Sequence, residues 1–422
     1  MKTTRRTFVS AAGAGTVATL VGRGAAAAQP LPSERRRTSY DVVVVGAGVF
    51  GAWTAYHLQR SGRSVLLVDQ YGPGNSRASS GGESRVIRMG YGADELYTRW
   101  SMGSLDQWQS LFAEIGQTLF YPTGVLWMAH GQDAYSLQSL EVIARLGVKH
   151  ERLDARALAS RYPQIDVTGI DWAILEPESG VLLARRAVAA VAQQAYRAGA
   201  EYLAGHVVEP TGKGRLASIT TRNGTTRNGE TVSAGTFVFA CGPWLGKVFP
   251  ALLAERIFAT RQEVYFFGVP PGDRRFSYPQ MPTWVDFGDE MYGLPDIESR
   301  GFKIALDAHG EPIDPDAAQR TPTPALVQRV RDFVARRFPA LADAPVVETR
   351  VCQYENTSSG DFLIDRHPEL ENVWLVGGGS GHGFKHGPAL GEYTAARIQD
   401  GGAVEERFTL GKKEKVQKRS VF

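Results

Sequence analysis

The stretch "DVVVVGAGVFGAWTAYHLQRSGRSVLLVDQ", Asp41 to Gln70, decides the fold. Val42 to Val45 is an unbroken β-branched run, the pattern of a central parallel strand covered on both faces. Gly46, Gly48 and Gly51 follow as G-x-G-x-x-G. A helix is predicted from about Gly51 to Gln59, ending near Gly62. A second strand is predicted from Ser64 to Val68, ending in Asp69. This is a complete strand–helix–strand unit of the kind that holds a dinucleotide. Gly46 permits the tight turn, Gly48 lets a pyrophosphate approach the backbone, and Gly51 lets helix and strand pack closely. The helix N-terminus presents its free amides to the phosphates. Asp69, 23 residues after Gly46, is placed to accept from a ribose hydroxyl and to repel a 2′-phosphate, which argues against NADP. The unit alone does not choose between NAD and FAD.

The following stretch leans towards FAD. "YGPGNSRASSGGESRVIRMGYG", Tyr71 to Gly92, is a long Gly- and Ser-rich loop with Arg77, Arg85 and Arg88. Long loops of this kind are functional or disordered. Arg85 and Arg88 would place cations beside an anionic ring or a substrate carboxylate.

At 43% hydrophobic and 22% charged residues, the chain has the composition of a globular protein. Its length of 422 residues allows two or three domains. No run of about 18 apolar residues is present, so no membrane span is expected. The N-terminus, with Arg5 and Arg6 before a mildly apolar run and Ala26-Ala27-Ala28 before Gln29, reads as a twin-arginine export signal over 1–28. Export by that machinery, to the periplasm or beyond, is the expectation. Residues 29–39 read as a linker. Removing the four basic residues of the signal from 47 leaves 43 against 44 acidic residues, a net charge of −1. That balance gives no reason to expect nucleic acid as a partner. The closing "GKKEKVQKRSVF" reads as a solvated, frayed tail.

"DELYTRWSMGSLDQWQSLFAEIG" reads as a core-facing amphipathic helix through Leu96, Trp100, Trp108, Leu111 and Phe112. "TVSAGTFVFACGPW" reads as a strand returning to the dinucleotide domain. Between about 251 and 345, "QEVYFFGV" and "RGFKIAL" alternate as strands of an antiparallel sheet. Near the end, Val373 to Val376 reads as a buried strand, Gly377 to Gly383 as a Gly-rich turn, and a helix begins near Pro388. Lys385 lies at that turn's mouth. His382 and His386 flank it without a third ligand, so no metal site is expected. The fold class is α/β, α+β overall: a Rossmann-like dinucleotide domain over 40–98, 180–250 and 346–405, with an antiparallel-sheet substrate domain over 99–179 and 251–345. A tail occupies 406–422.

The two cysteines cannot build a disulfide framework. A single Cys241–Cys352 bridge stays open in an oxidising compartment. Cys241, in "TFVFACGPW", reads more simply as a small buried residue.

From Tyr40 to Arg407 the chain resembles the D-amino-acid-oxidase-like flavoproteins, and within them the monomeric sarcosine oxidase group. The motifs that carry the likeness are "VVVVGAGVFG", "LLVDQYGPGNSRASSGGESRVIR", "EPESGVL", "RVCQY", "GDFLIDRHPE" and "GGGSGHGFKHGP". The resemblance implies FAD, attached through a thioether at Cys352. It implies that Lys303 activates oxygen and that Arg85 packs near the flavin ring. Arg88 and Lys385 would hold the substrate carboxylate, with Tyr354 and Tyr292 lining the cavity. The expected cofactor contacts begin with Gly46, Gly48, Val49, Phe50, Gly51, Asp69 and Gln70. They continue through Ser76, Ser80, Ser84, Arg85, Val208, Gly242, Trp244 and Cys352 to Gly378, Gly379, Gly381, Gly383, Phe384 and Lys385.

Two departures stand out. Ser80-Gly81 occupies the place where the group often has histidine. Sarcosine oxidases carry a histidine four residues after the lysine; here that place is Asp307, with His309 two further on. A carboxylate there repels a second acid and attracts an amine, so sarcosine itself is not the expected substrate. The implied function is oxidation of the C–N bond of a secondary or N-substituted amino acid by a monomer, the imine then hydrolysing and O2 yielding H2O2. Two alternatives remain open: a dehydrogenase of the same fold that passes electrons to another acceptor, and a flavin-binding protein without turnover.

Overall fold

The computed structural model describes residues 31–34, 36–222 and 229–418. The expected export signal lies outside the described residues. The first sheet is built on the strand Ser39–Val45. It runs parallel to Val65–Asp69 on one side and Thr231–Phe239 on the other. Glu201–Ala204 extends the parallel set beyond the first partner, and Val373–Gly377 beyond the second. Leu363–Arg366 closes that edge antiparallel. Ser218–Arg222 pairs with the start of Thr231–Phe239, and His206–Val207 lies beyond it.

Side-chain alternation explains the two-faced burial. Val42 and Val44 point into a cluster with the helices Val49–Arg60, Ala184–Arg197 and Gly387–Asp400. Val43 and Val45 point into another, with Phe237, Phe239, Leu245, Phe249 and Leu375. Each such valine contributes about 1.5–3 kcal/mol by leaving water.

The second sheet has eight strands, in the order Val346–Asn356, Phe258–Phe267, Phe302–Leu306, Met291–Leu294, Thr283–Asp286, Val125–Ala129, Trp172–Glu176 and Glu151–Asp154. All neighbours are antiparallel except Thr283–Asp286 with Val125–Ala129. A small three-stranded sheet joins Arg85–Ile87, Gly180–Leu182 and Phe120–Tyr121. The helix Glu95–Glu114 buries Trp108, Leu111 and Phe112, as its periodicity predicts.

Two expectations are corrected. The strand Val346–Asn356 was expected in the dinucleotide domain, yet it pairs with Phe258–Phe267 along its length, from Phe258 opposite Asn356 to Phe267 opposite Val346. Residues 406–422 were expected to be a tail, solvated and frayed from Gly411, yet Glu406–Phe408 and Leu410–Lys412 are short turns packed on the body. Phe408 is fully buried against Trp100 and Phe362. Arg407 donates to Asp94 and Asp361, and buried Lys413 donates to Arg407 O at 2.6 Å. One aromatic ring and one ion cluster outweigh the hydrophilic composition of this segment. No helix among the described residues is long and apolar enough to cross a membrane.

Candidate active site

Two cavities meet at the C-terminal ends of the parallel strands, where open α/β sheets bind ligands. The larger is a cleft of about 390 Å³ between the Gly46–Gly51 turn, the Ser79–Ser80 loop, the Gly242–Trp244 turn and the Gly379–Gly383 turn. Gly46 has φ 103°, and a Cβ there would overlap Ala240 O. Gly48 faces the cleft: a Cβ on it would meet only Ser80 Oγ, at 3.5 Å. No side chain of Gly48 can cap the helix Val49–Arg60, and the Val49 amide donates instead to Ser80 Oγ at 3.0 Å. An open glycine face beside a helix N-terminus fits a pyrophosphate.

Val49, Phe50, Gln70, Gly242, Trp244, Gly379, Gly381, Gly383 and Phe384 line the same cleft, as do Asp69, Ser80 and Arg85. Asp69, expected to meet a ribose hydroxyl, also holds the turn itself. Its carboxylate accepts from the amides of Ala47, Tyr71 and Gly72 at 2.7–2.8 Å, clamping the Gly-rich turn to the end of its own strand. Burial pushes its pKa up against the effect of those three amides.

Seven expected cofactor contacts do not line this cleft: Cys352 and Lys385 line the smaller cavity, and five lie elsewhere. Gly51 packs against Gly46 O, and Gly378 against Thr357. Ser76 backs Gly81 within the loop. The Val208 amide bonds Thr220 O, and its neighbours Val207 and Glu209 form the wall. Ser84 serves Lys303, as described below. Cys241, read as a core residue, lies just past its strand and lines the cleft. Both cysteines are free thiols, so the bridge considered from sequence is not formed.

The smaller cavity, about 70 Å³, is lined by Arg85, Arg88, Tyr292, Lys303, Asp307, Cys352, Tyr354 and Lys385, with Val264, Val285 and Leu306 as apolar wall. Arg85, Tyr354 and Gly381 border both cavities. Period-two alternation puts Cys352 and Tyr354 on one face of the strand Val346–Asn356, and Gln353 and Glu355 on the other.

Lys303 is 2% exposed. Its Nζ donates to Ser84 O at 2.8 Å and lies 3.4 Å from Ser84 Oγ. Burial, and then the Arg85 cation, hold its pKa well below the ordinary lysine value. Arg85 is fixed by Ser79 O at 2.7 Å and Ser84 O at 2.8 Å, and reaches Cys352 Sγ at 3.4 Å. The Arg88 guanidinium stacks on Tyr91 and Trp127, 4.4 and 4.8 Å from the ring centroids, and donates to Gly90 O. Burial opposes its charge, but Tyr135, Tyr91, Asp307 and Glu176 outweigh burial. Lys385 Nζ donates to His382 O at 2.8 Å and sits 5.1 Å from the Tyr91 centroid. Burial, followed by Asp307, raises the Tyr292 pKa to about 12, keeping that phenol neutral.

Two positioning residues, Glu176 and Tyr91, had no role in the sequence reading. Glu176 is fully buried and accepts from the Met89 and Gly90 amides, Trp127 Nε1 and Ser179 Oγ at 2.6–2.9 Å. It therefore fixes both the turn after Arg88 and the ring on which Arg88 stacks. Its motif, "EPESGVL", was visible, but the two backbone amides it holds lie more than 80 residues away in sequence. Tyr91 Oη bonds His386 Nε2 at 2.7 Å and His382 Nδ1 at 3.3 Å, so both histidines serve the wall beneath Arg88 and Lys385.

Comparison with known proteins agrees with this geometry. A family model described as FAD-dependent oxidoreductase (DAO) matches residues 41–397. Monomeric sarcosine oxidase of Bacillus sp. strain NS-129 is 31% identical over 380 residues, covering 88% of this chain and 96% of that protein. Peroxisomal sarcosine oxidase of Homo sapiens is 31% identical, covering 84% and 90%. The crystal structure of L-proline dehydrogenase from P. horikoshii superposes with a TM-score of 0.75 at 22% identity, covering 90% and 98%, a likeness of fold alone. A dinucleotide turn at Gly46, a cation-lined cavity against its cleft and a family match over most of the chain lead to one statement: this protein belongs to the DAO family of FAD-dependent oxidoreductases.

Proposed function

We propose that the protein oxidises the C–N bond of a secondary or N-substituted amino acid and passes the electrons to O2. The observation that carries this reading is the buried Lys303 in one small cavity with Arg88, Lys385 and Asp307, directly against the dinucleotide cleft. Bound FAD supplies the two-electron acceptor that side chains lack. The chain does the rest. Arg88 offers a planar fork and Lys385 a point charge for the substrate carboxylate. Tyr292, Tyr354 and the apolar wall exclude water and leave the C–N bond facing the cleft. Asp307 presents negative charge to the substrate nitrogen or a basic side chain. Lys303, when protonated, sets a fixed cation beside the place where negative charge develops on oxygen.

The test separates the two half-reactions. In Lys303→Met, reduction by substrate should stay within about tenfold of the parent, while reoxidation by O2 should slow by 10²-fold or more, about 2.7 kcal/mol or more of lost charge stabilisation. Equal loss in both halves would remove Lys303 from oxygen chemistry and favour the dehydrogenase reading.

We further infer that the flavin is joined to Cys352. The support is the sulfur's place in the cavity wall, 3.4 Å from the Arg85 guanidinium. After acid denaturation and filtration, the yellow colour should stay with the parent protein and pass through the filter for Cys352→Ser. Colour released from the parent would exclude the bond. The paired Arg5 and Arg6 support export of the folded, loaded protein by the twin-arginine route, to the periplasm or beyond.

A further inference from the structure

Glu355 has no place in the chemistry above, yet it occupies the wall of the dinucleotide cleft. It is 6% exposed, and its Oε1 is buried with no hydrogen-bond partner among the described residues. The carboxyl faces the amides of Gly378 and Gly379. A Cβ on Gly377 would overlap Oε1, so the oxygen is pressed against the end of the strand Val373–Gly377. Leaving a buried carboxylate oxygen unpaired costs free energy, and the residue that carries it lines a cleft shaped for an oxygen-rich ligand.

We propose that Glu355 is a cofactor-holding residue whose carboxyl group donates a hydrogen bond to an oxygen of the bound dinucleotide. The phosphates and the hydroxyls of FAD both offer such acceptors, and the chemistry is the same for either. Burial pushes the Glu355 pKa up to about 8, with the Gly378 and Gly379 amides acting in the opposite direction. At neutral pH it therefore carries the proton that a donor needs.

The other titratable groups around the cleft leave this state undisturbed. Asp69, at the end of Val65–Asp69, is occupied by three amides. The Cys241 thiol, past Thr231–Phe239, is pushed up by burial and then by Asp69 and Glu355. Farther along the wall, Lys247 is held by Asp314 and Asp316, His206 by Gln70, and Arg85 by Ser79 O and Ser84 O; Glu209 also lines the cleft. Burial, opposed by the Gly378 and Gly379 amides, is what sets the Glu355 carboxyl.

Binding then selects the protonated carboxyl. Affinity is full below the Glu355 pKa and falls as pH rises through it, by up to about tenfold per pH unit for one linked proton. The inference rests on FAD as the cofactor and is independent of the substrate. It is tested by flavin release from diluted full-length holoprotein carrying Cys352→Ser, which removes the proposed covalent tether. Free-FAD fluorescence at equilibrium gives Kd from pH 6.5 to 9.5. The expected Kd is flat to about pH 8 and then rises about tenfold per unit. Adding Glu355→Gln, which keeps a donor and removes the titration, should give the low-pH Kd at every pH. Adding Glu355→Leu should weaken binding at pH 6.5 by about tenfold, the worth of one hydrogen bond, without a pH slope. The proposal is overturned if the Gln variant keeps the parent's rise with pH, or if the Leu variant binds like the parent at pH 6.5.

Discussion

At the residue scale, the contacts of the small cavity explain why few substitutions there are conservative. Lys303 has one backbone acceptor, and its pKa is depressed first by burial and then by Arg85. Its charge is present at low pH and lost as pH rises through a value below the ordinary 10.5. Reoxidation by O2 should therefore slow with rising pH, inflecting below 10.5, and rapid mixing of reduced enzyme with oxygen should show a flat profile for Lys303→Met. An unchanged rate from neutrality to pH 10.5 would place the needed charge elsewhere. Lys303, Arg85 and Arg88 were legible because short motifs carry them. Glu176 and Glu355 were not. A carboxylate's role depends on what its oxygens meet, and those partners come from distant parts of the chain.

At the element scale, the strand–glycine–helix unit was legible almost to the residue, because β-branched runs, turn glycines and helix starts are local signals. The helix spans Val49–Arg60 and the second strand Val65–Asp69, each within two residues of the expected limits at either end. Gly46 shows why the turn admits nothing larger: positive φ and contact with Ala240 O exclude a side chain together. Gly46→Ala should cost about 1–3 kcal/mol or more and lower the flavin-to-protein ratio, read by thermal unfolding and absorbance. Full loading and an unchanged melting temperature would contradict the packing described. The strand Val346–Asn356 was assigned to the wrong sheet. Alternation reveals which side chains share a face but not which distant strand supplies the edge. The error matters, because this strand crosses from the substrate sheet to the dinucleotide cleft. It thereby carries Cys352, Tyr354 and Glu355 to both cavities.

At the scale of the whole molecule, the segment after residue 405 closes over an aromatic layer that also holds His382 and His386. Phe362 stacks on His382 and Phe408, and Tyr97 touches both histidines. Composition hid this, since Phe408 among many charges gives no periodic signal. His386 is fully buried, and burial, then Lys385, His382 and Arg88, depress its pKa well below 6.5. The unfolded chain takes up this proton below pH 6.5 while the native state resists it. Stability is therefore present above that pH and declines as pH falls below it. Urea unfolding should show this acid-side loss, and His386→Gln should lessen its slope.

The two cavities make one claim together: a bound flavin is reduced by amino acids that present a carboxylate and an oxidisable C–N bond. The direct measurement mixes the holoenzyme without oxygen with a panel of N-methyl, cyclic secondary and basic amino acids, then admits air. Members of this panel should bleach the visible flavin band, and air should restore it with one H2O2 formed per flavin. A flavin that no member of the panel bleaches would contradict the account.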